Sequence, residues 1–227
     1  MKLLPEDKLI WSPLVVNSRM NRERNSSGIN SYEKEFKFKP EEFLASKISE
    51  FGRASWLDLC CGHGKALIQT AKHFDKLEQQ NLIKLKGIDL VDTFLAVDKH
   101  ITCIEFESES LINWIPNQTY DLITCVHGLH YLGDKLKAIE VSIKGLNPFG
   151  LFVANLDLNN IVIQGANSTS YLKNSFKQHG FVYNSRLKVL KHVGGAAIKF
   201  GLRYLGADDE HGPNYTGHDS VTSYYSV

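Results

Sequence analysis

Asp58-Leu59-Cys60-Cys61-Gly62-His63-Gly64 is the stretch of this chain best suited to hold a ligand. It follows the apolar residues 54–57 and precedes Lys65-Ala66-Leu67-Ile68, so it reads as a strand, an acidic residue, a glycine turn and a helix start. Gly62 and Gly64 admit positive φ and let backbone come close to a bound molecule. A dinucleotide turn needs a third glycine three residues beyond Gly64, and Leu67 stands there. A carboxylate before the turn suits a ligand with an amino group instead. Leu85-Lys86-Gly87-Ile88-Asp89 is a second apolar run ending in a carboxylate, which could accept hydrogen bonds from two adjacent ribose hydroxyls. A third run, 120–126, leads into His127-Gly128-Leu129-His130-Tyr131. Imidazoles titrate near neutral pH, so either histidine could take a proton from a second substrate or simply pack.

In this order the motifs resemble those of class I S-adenosylmethionine-dependent methyltransferases, over residues 51–205. The resemblance implies S-adenosyl-L-methionine as cofactor and gives the residues roles. Asp58 would hold the methionine amino group, often through water, with the backbone of Gly62 to Gly64 passing under the methionyl and ribose portions. Cys60 replaces the first of the family's three glycines. Asp89 would bind the ribose, and the adjacent Leu90 joins the cofactor-binding set. After the third strand Glu109 and Ser110 fit the adenine-recognising place, with Glu107 as rival; Glu109 could instead cap the helix near Leu111. His127 would lend backbone to the pocket, and His130 or His127 could serve as general base.

These residues require alternating strands and helices to position them. Strands are predicted at 54–59, 83–88, 101–106, 120–126 and 149–156, and helices at 41–51, 65–79, 135–146 and 168–178. Residues 181–190, 193–195 and 196–204 read as a closing hairpin. The expected fold is α/β and Rossmann-like: a mostly parallel seven-stranded sheet with an antiparallel C-terminal edge hairpin and helices on both faces. So few residues separate Asp89 from Ile101 that the second crossover helix must be short or absent.

Composition fits one enzyme domain with a well-buried core, 43% hydrophobic, with 26 basic against 25 acidic residues. That balance lacks the basic stripe of a nucleic-acid binder, which favours a small-molecule or peptide acceptor. The four cysteines have no zinc-like spacing and read as buried thiols, so no metal is expected. Free thiols, the lack of a signal-like N-terminus and the lack of a membrane-spanning run point to the cytoplasm, as a monomer or homodimer.

The termini fit no βα unit. Residues 1–50 are expected to supply an acceptor lid, 51–205 the cofactor-binding core and 206–227 a tail in the active-site wall. Within 17–35, Tyr32 could contact the methionyl carboxylate or face the sulfonium, and is a candidate catalytic residue with His127 and His130. Arg19, Arg22 or Arg24 could pair with a carboxylate. The acidic cluster at 208–211 could bind a metal, but reads more simply as a solvated loop. The reaction expected is in-line methyl transfer to a heteroatom or carbon. Two other readings stay open: cyclisation of the cofactor's aminobutyrate arm, as in azetidine-carboxylate synthases, or binding of the cofactor without catalysis.

Overall fold

The computed structural model describes residues 3–18 and 23–227. Among the described residues three short helices come first: α1 (Glu6–Leu9), α2 (Pro13–Ser18) and α3 (Tyr32–Phe36). There follow α4 (Pro40–Phe51), β1 (Ala54–Leu59), α5 (Lys65–Lys76), β2 (Ile83–Asp89), β3 (Ile104–Ser108), β4 (Tyr120–Cys125), α6 (Lys135–Lys144) and β5 (Leu146–Asn155). The C-terminal part holds β6 (Ile161–Gln164), α7 (Ser168–Gln178), β7 (Val182–Asn184), β8 (Val189–Val193), β9 (Arg203–Asp208) and β10 (Thr222–Ser226).

Seven strands form one sheet in the order β3-β2-β1-β4-β5-β8-β7, and only β8 runs against its neighbours. The strands alternate their side chains between two cores, as a sheet covered on both faces requires. Leu57, Leu59, Ile123, Phe152 and Ala154 pack with α6 and α7. Trp56, Leu85, Leu122 and Val153 pack with α4 and α5 on the other face. The order reverses between β1 and β4, and the carboxyl ends of the strands beside such a reversal are where open α/β sheets bind ligands. The fold class is therefore the one expected, and residues 90–103 contain no helix.

Three readings of the sequence are corrected. The third strand begins at Ile104, where pairing with Leu85 starts; Ile101 and Cys103 are buried from a loop, which gave the run its strand-like pattern. The hairpin turns at residues 185–188, not at Gly194-Gly195: Asn184 Oδ1 accepts from the amides of Arg186 and Leu187. Gly194 and Gly195 donate instead to Gly150 O and Asn147 O, and the chain leaves the sheet there. Residues 203–208 join a second sheet, β6-β10-β9, which the sequence reading missed. Buried Lys135 fastens this sheet to the first, its Nζ lying 2.8 Å from Leu132 O, Val221 O and Ser223 Oγ. Burial pushes that ammonium down to about 7. No helix among the described residues is long and apolar enough to cross a membrane.

Candidate active site

The chain after β1 must turn at once under the strand ends. Cys60 takes φ 53°, a left-handed conformation that a glycine adopts without strain and another residue only at a cost of about 1–2 kcal/mol. Gly62 follows at φ 60°, and its amide donates to Asp89 Oδ2 at 2.9 Å. Val91 N approaches Asp89 Oδ1 at 3.4 Å, so backbone fixes the carboxylate at the end of β2. Gly64 is the N-cap of α5, with φ 76°. A Cβ on Gly64 would meet the Phe106 ring at 2.3 Å, so this glycine makes room for packing and is not in the cavity wall.

After β4 the second turn repeats the device. His127 is left-handed at φ 56°, and its amide donates to Asn155 Oδ1 at 3.3 Å. A Cβ on Gly128 would lie 2.3 Å from Cys60 Cβ and 2.8 Å from Cys125 Sγ. The two turns interlock: the side chain Cys60 carries where a glycine could stand fills the space that Gly128 leaves.

Between these turns lies a cavity of about 560 Å³. Cys60, Gly62, Asp89 and Gly128 form one wall. Arg24, Tyr32 and Glu35 reach it from the N-terminal segment, and Asn214, Tyr215 and His218 from the C-terminal one. A smaller space of about 60 Å³ adjoins it past Asp89 and Gly128, bounded by Leu90, Glu109, Ser110 and Leu111 with Glu6 and Ile10 of the N-terminal segment. Glu109 N donates to Asp89 O at 3.0 Å, which ties these residues to the end of β2.

Asp58 does not line the cavity. It is buried beneath Tyr32, whose hydroxyl donates to Oδ2 at 2.5 Å, while Thr124 donates to Oδ1 at 2.6 Å. Trp56 Nε1 donates to Thr124 Oγ1 in turn. Burial pushes the Asp58 carboxyl up to about 7, the two hydroxyls pulling the other way and Asp89 adding to the rise. Tyr32 is held well above its ordinary phenol range by burial and by Asp58. It presents a committed donor, not a base.

The two histidines differ. His127 Nε2 lies 3.2 Å from Glu35 Oε1. Glu35 also meets Arg24 Nη1 at 3.3 Å and Asn155 Nδ2 at 3.4 Å. Its carboxyl is lowered chiefly by the His127 bond, against the opposing effect of burial. His130 is 1% exposed, and neither ring nitrogen has a hydrogen-bond partner. Burial, then the charges of His127 and Lys135, holds it well below 6.5 and so neutral. The His130 ring lies 5.6 Å from both His127 and Tyr215.

The sequence reading placed Glu35 and Tyr215 in terminal segments expected to wall the site but did not single them out, and it missed Asn155, which lies buried behind them. Glu35 stands one helical turn from Tyr32, a spacing that could have found it. Arg19 and Arg22 lie outside the described residues, whereas Arg24 reaches the cavity. Asp208 and His211 lie 3.8 Å apart, and no cluster of three metal-ligating side chains occurs among the described residues.

The profile of a methyltransferase domain family matches residues 32–194. No curated protein matches the chain. Among solved structures, it is similar to the sugar N-methyltransferase KedS8 from Streptoalloteichus sp ATCC 53650, at 19% identity over 51% of this chain and 46% of that one, TM-score 0.37. It is also similar to the N-methyltransferase NodS from Bradyrhizobium japonicum WM9, at 13% identity over 83% and 91%, TM-score 0.43. The plantazolicin methyltransferase BpumL gives 17% over 81% and 64%, TM-score 0.44. The chain spans less than half the length of KedS8.

Proposed function

Because the chain belongs to this methyltransferase domain family, we propose that it transfers the methyl group of S-adenosylmethionine to a small-molecule or peptide acceptor held between the strand ends and the two terminal segments. The cofactor is S-adenosylmethionine, which supplies an activated methyl group and leaves as S-adenosylhomocysteine. The donor set fits it. A carboxylate can accept about four hydrogen bonds, so Asp89, oriented by backbone amides, can also accept from a ribose diol. Leu90, Glu109 and Ser110 border the adjoining space and would take the adenine. Gly62 and Cys60 would carry the methionyl portion, with Asp58 acting through the Tyr32 hydroxyl and Arg24 available to the carboxylate.

The observation that carries this reading is the continuity of the cavity. It runs from Asp89 past Gly128 to a wall of His127, His130 and Tyr215, so a second molecule would lie between the cofactor and the terminal segments. Those residues supply alignment and exclude water, the main needs when the methyl is already activated. Soluble cytoplasmic work on a small biosynthetic metabolite is part of the same reading.

Incubation of the protein with S-adenosylmethionine, alone and with acceptor panels, tests it. S-adenosylhomocysteine released only with an acceptor supports methyl transfer. Methylthioadenosine formed from cofactor alone would assign cyclisation instead, and neither product, with tight cofactor binding, would leave a binding protein.

A further inference from the structure

Cys60 carries a reactive sulfur that methyl transfer does not use. The residue stands in the left-handed conformation at φ 53°, and its half-buried side chain borders both the main cavity and the space adjoining it. The point that a Cβ on Gly128 would occupy lies 2.7 Å from Cys60 Sγ and 2.8 Å from Cys125 Sγ. Two thiols therefore border one gap of atomic size, left open by a glycine. Asp58 pairs with Thr124 in the register of β1 and β4, so Cys60 and Cys125 sit diagonally across the ends of neighbouring strands. The other two cysteines serve the opposite face of the sheet. Cys125 belongs to the core beneath α6 and α7, and Cys60 packs against that core, whereas Cys61 and Cys103 belong to the core beneath α4 and α5. None of the four is joined in a disulfide.

We propose that Cys60 and Cys125 are a peroxide-sensitive pair whose disulfide closes the cofactor cavity, the closure resting on the methyltransferase reading. Cys60 reacts first, because it is reached from the cavity while Cys125 is wholly buried. Its sulfur gives an electron pair to one oxygen of hydrogen peroxide, the oxygen–oxygen bond breaks, and the other oxygen leaves with the thiol proton as water. The Cys125 sulfur then attacks the resulting sulfenic acid: the sulfur–sulfur bond forms, the sulfur–oxygen bond breaks, and the oxygen leaves with the Cys125 proton as a second water. Two thiols are oxidised and one peroxide is reduced. The bond requires the sulfurs at about 2.05 Å, so the Cys60 turn must draw towards β4. Gly62, two residues on, then shifts against Asp89, whose Oδ2 its amide meets at 2.9 Å, and the carboxylate that would hold the ribose loses part of its backbone support.

The test treats the full chain with hydrogen peroxide and follows it by intact mass, peptide mapping and calorimetric titration with S-adenosylhomocysteine. The expected product has lost two hydrogens, maps as a link from Cys60 to Cys125 within one chain, and is reversed by dithiothreitol. Saturating S-adenosylhomocysteine should slow its formation, because Cys60 borders the cavity. The oxidised protein should bind S-adenosylhomocysteine about tenfold more weakly, the fold-change for losing one charge-assisted hydrogen bond. Cys125→Ala, with Cys125→Ser as a second variant, should halt the reaction at the Cys60 sulfenic acid, which dimedone traps. A link from Cys60 to Cys61 or to another chain, or a folded protein whose Cys60 stays unmodified, overturns the pair. A Cys60 to Cys125 link with unaltered affinity overturns the closure. Reduced protein that binds no S-adenosylhomocysteine overturns the methyltransferase reading and the closure with it, while the peptide map still decides the pair.

Discussion

The half of the cavity proposed to face the cofactor is built by backbone over short stretches of chain, and the half proposed to face the acceptor by side chains brought together from its two ends. In the first, Asp89 ends β2, while Cys60, Gly62 and Gly128 occupy the turns after β1 and β4. In the second, Glu35 meets Asn155 across 120 residues of sequence, and Asn155 meets Tyr215 across 60. A turn at a strand end is fixed by the sheet it leaves. A wall of remote side chains is fixed only when the whole chain has closed, so it can change its chemistry without disturbing the turns.

That difference is open to attack at Asp58, which belongs to neither half's surface and supports both. Its carboxyl is pushed up to about 7 in the folded protein from an ordinary 3.8. Between those values the native state binds a proton that the unfolded chain has released, so stability falls as pH rises through the window and is level above it. The span corresponds to a loss on the order of 4 kcal/mol. Asp58→Asn should flatten this stretch of the stability profile, measured by urea unfolding across pH. An unaltered slope would mean that Asp58 keeps its charge throughout, held by Thr124 and Tyr32.

Within the cofactor half, Asp89→Ala should weaken S-adenosylhomocysteine binding by about 1.5–3 kcal/mol, the worth of a charge-assisted hydrogen bond, in a protein that remains folded. Calorimetric titration reads it directly, and equal affinity in a folded variant would remove Asp89 from the ribose site. Gly128→Ala should cost about 1–3 kcal/mol of stability by overpacking, since the new methyl meets Cys60 at 2.3 Å. Adding Cys60→Gly should recover much of that loss, because it removes both the obstacle and the left-handed strain. A double variant no better than the single one would break the claim that the two turns interlock.

This division also governs what could be read from sequence. Asp58, Gly62, Asp89 and the His127 to Tyr131 turn each lie at or just after the end of an apolar run that is itself a strand, so local pattern sufficed to place them at strand ends. Glu35 and Tyr215 acquire their surroundings from β4 and β5, far away in the chain, and nothing in residues 23–36 or 206–220 states who those partners are. The second sheet was hidden for a related reason. Ile161–Gln164 and Thr222–Ser226 are short and far apart in the chain, and Lys135 and Tyr225 dock the second of them against α6. Ile101 and Cys103 show the opposite failure, where an apolar pattern is real but serves a buried loop.

The same geometry alters how the terminal segments should be probed. Deleting the first 33 residues would uncover more than the acceptor wall: Leu9 is wholly buried against Ala207 and Val221, and Glu6 accepts from the amides of Gly133 and Asp134 at the start of α6. A point change is cleaner. Tyr215→Phe removes the hydroxyl that receives Asn155 Nδ2 at 3.3 Å while keeping the ring beside His130. The cost in stability should be about 0.5–1.5 kcal/mol, the net worth of one such bond. Because Tyr215 reaches the cavity from the acceptor side, S-adenosylhomocysteine affinity should stay within about twofold of the unaltered protein, since only contacts shared with the cofactor would shift it further. Paired unfolding and calorimetry on this one variant separate the outcomes. A stability loss with unchanged cofactor affinity keeps the halves independent, whereas a tenfold fall in affinity would show that the wall from the C-terminal segment also holds the cofactor.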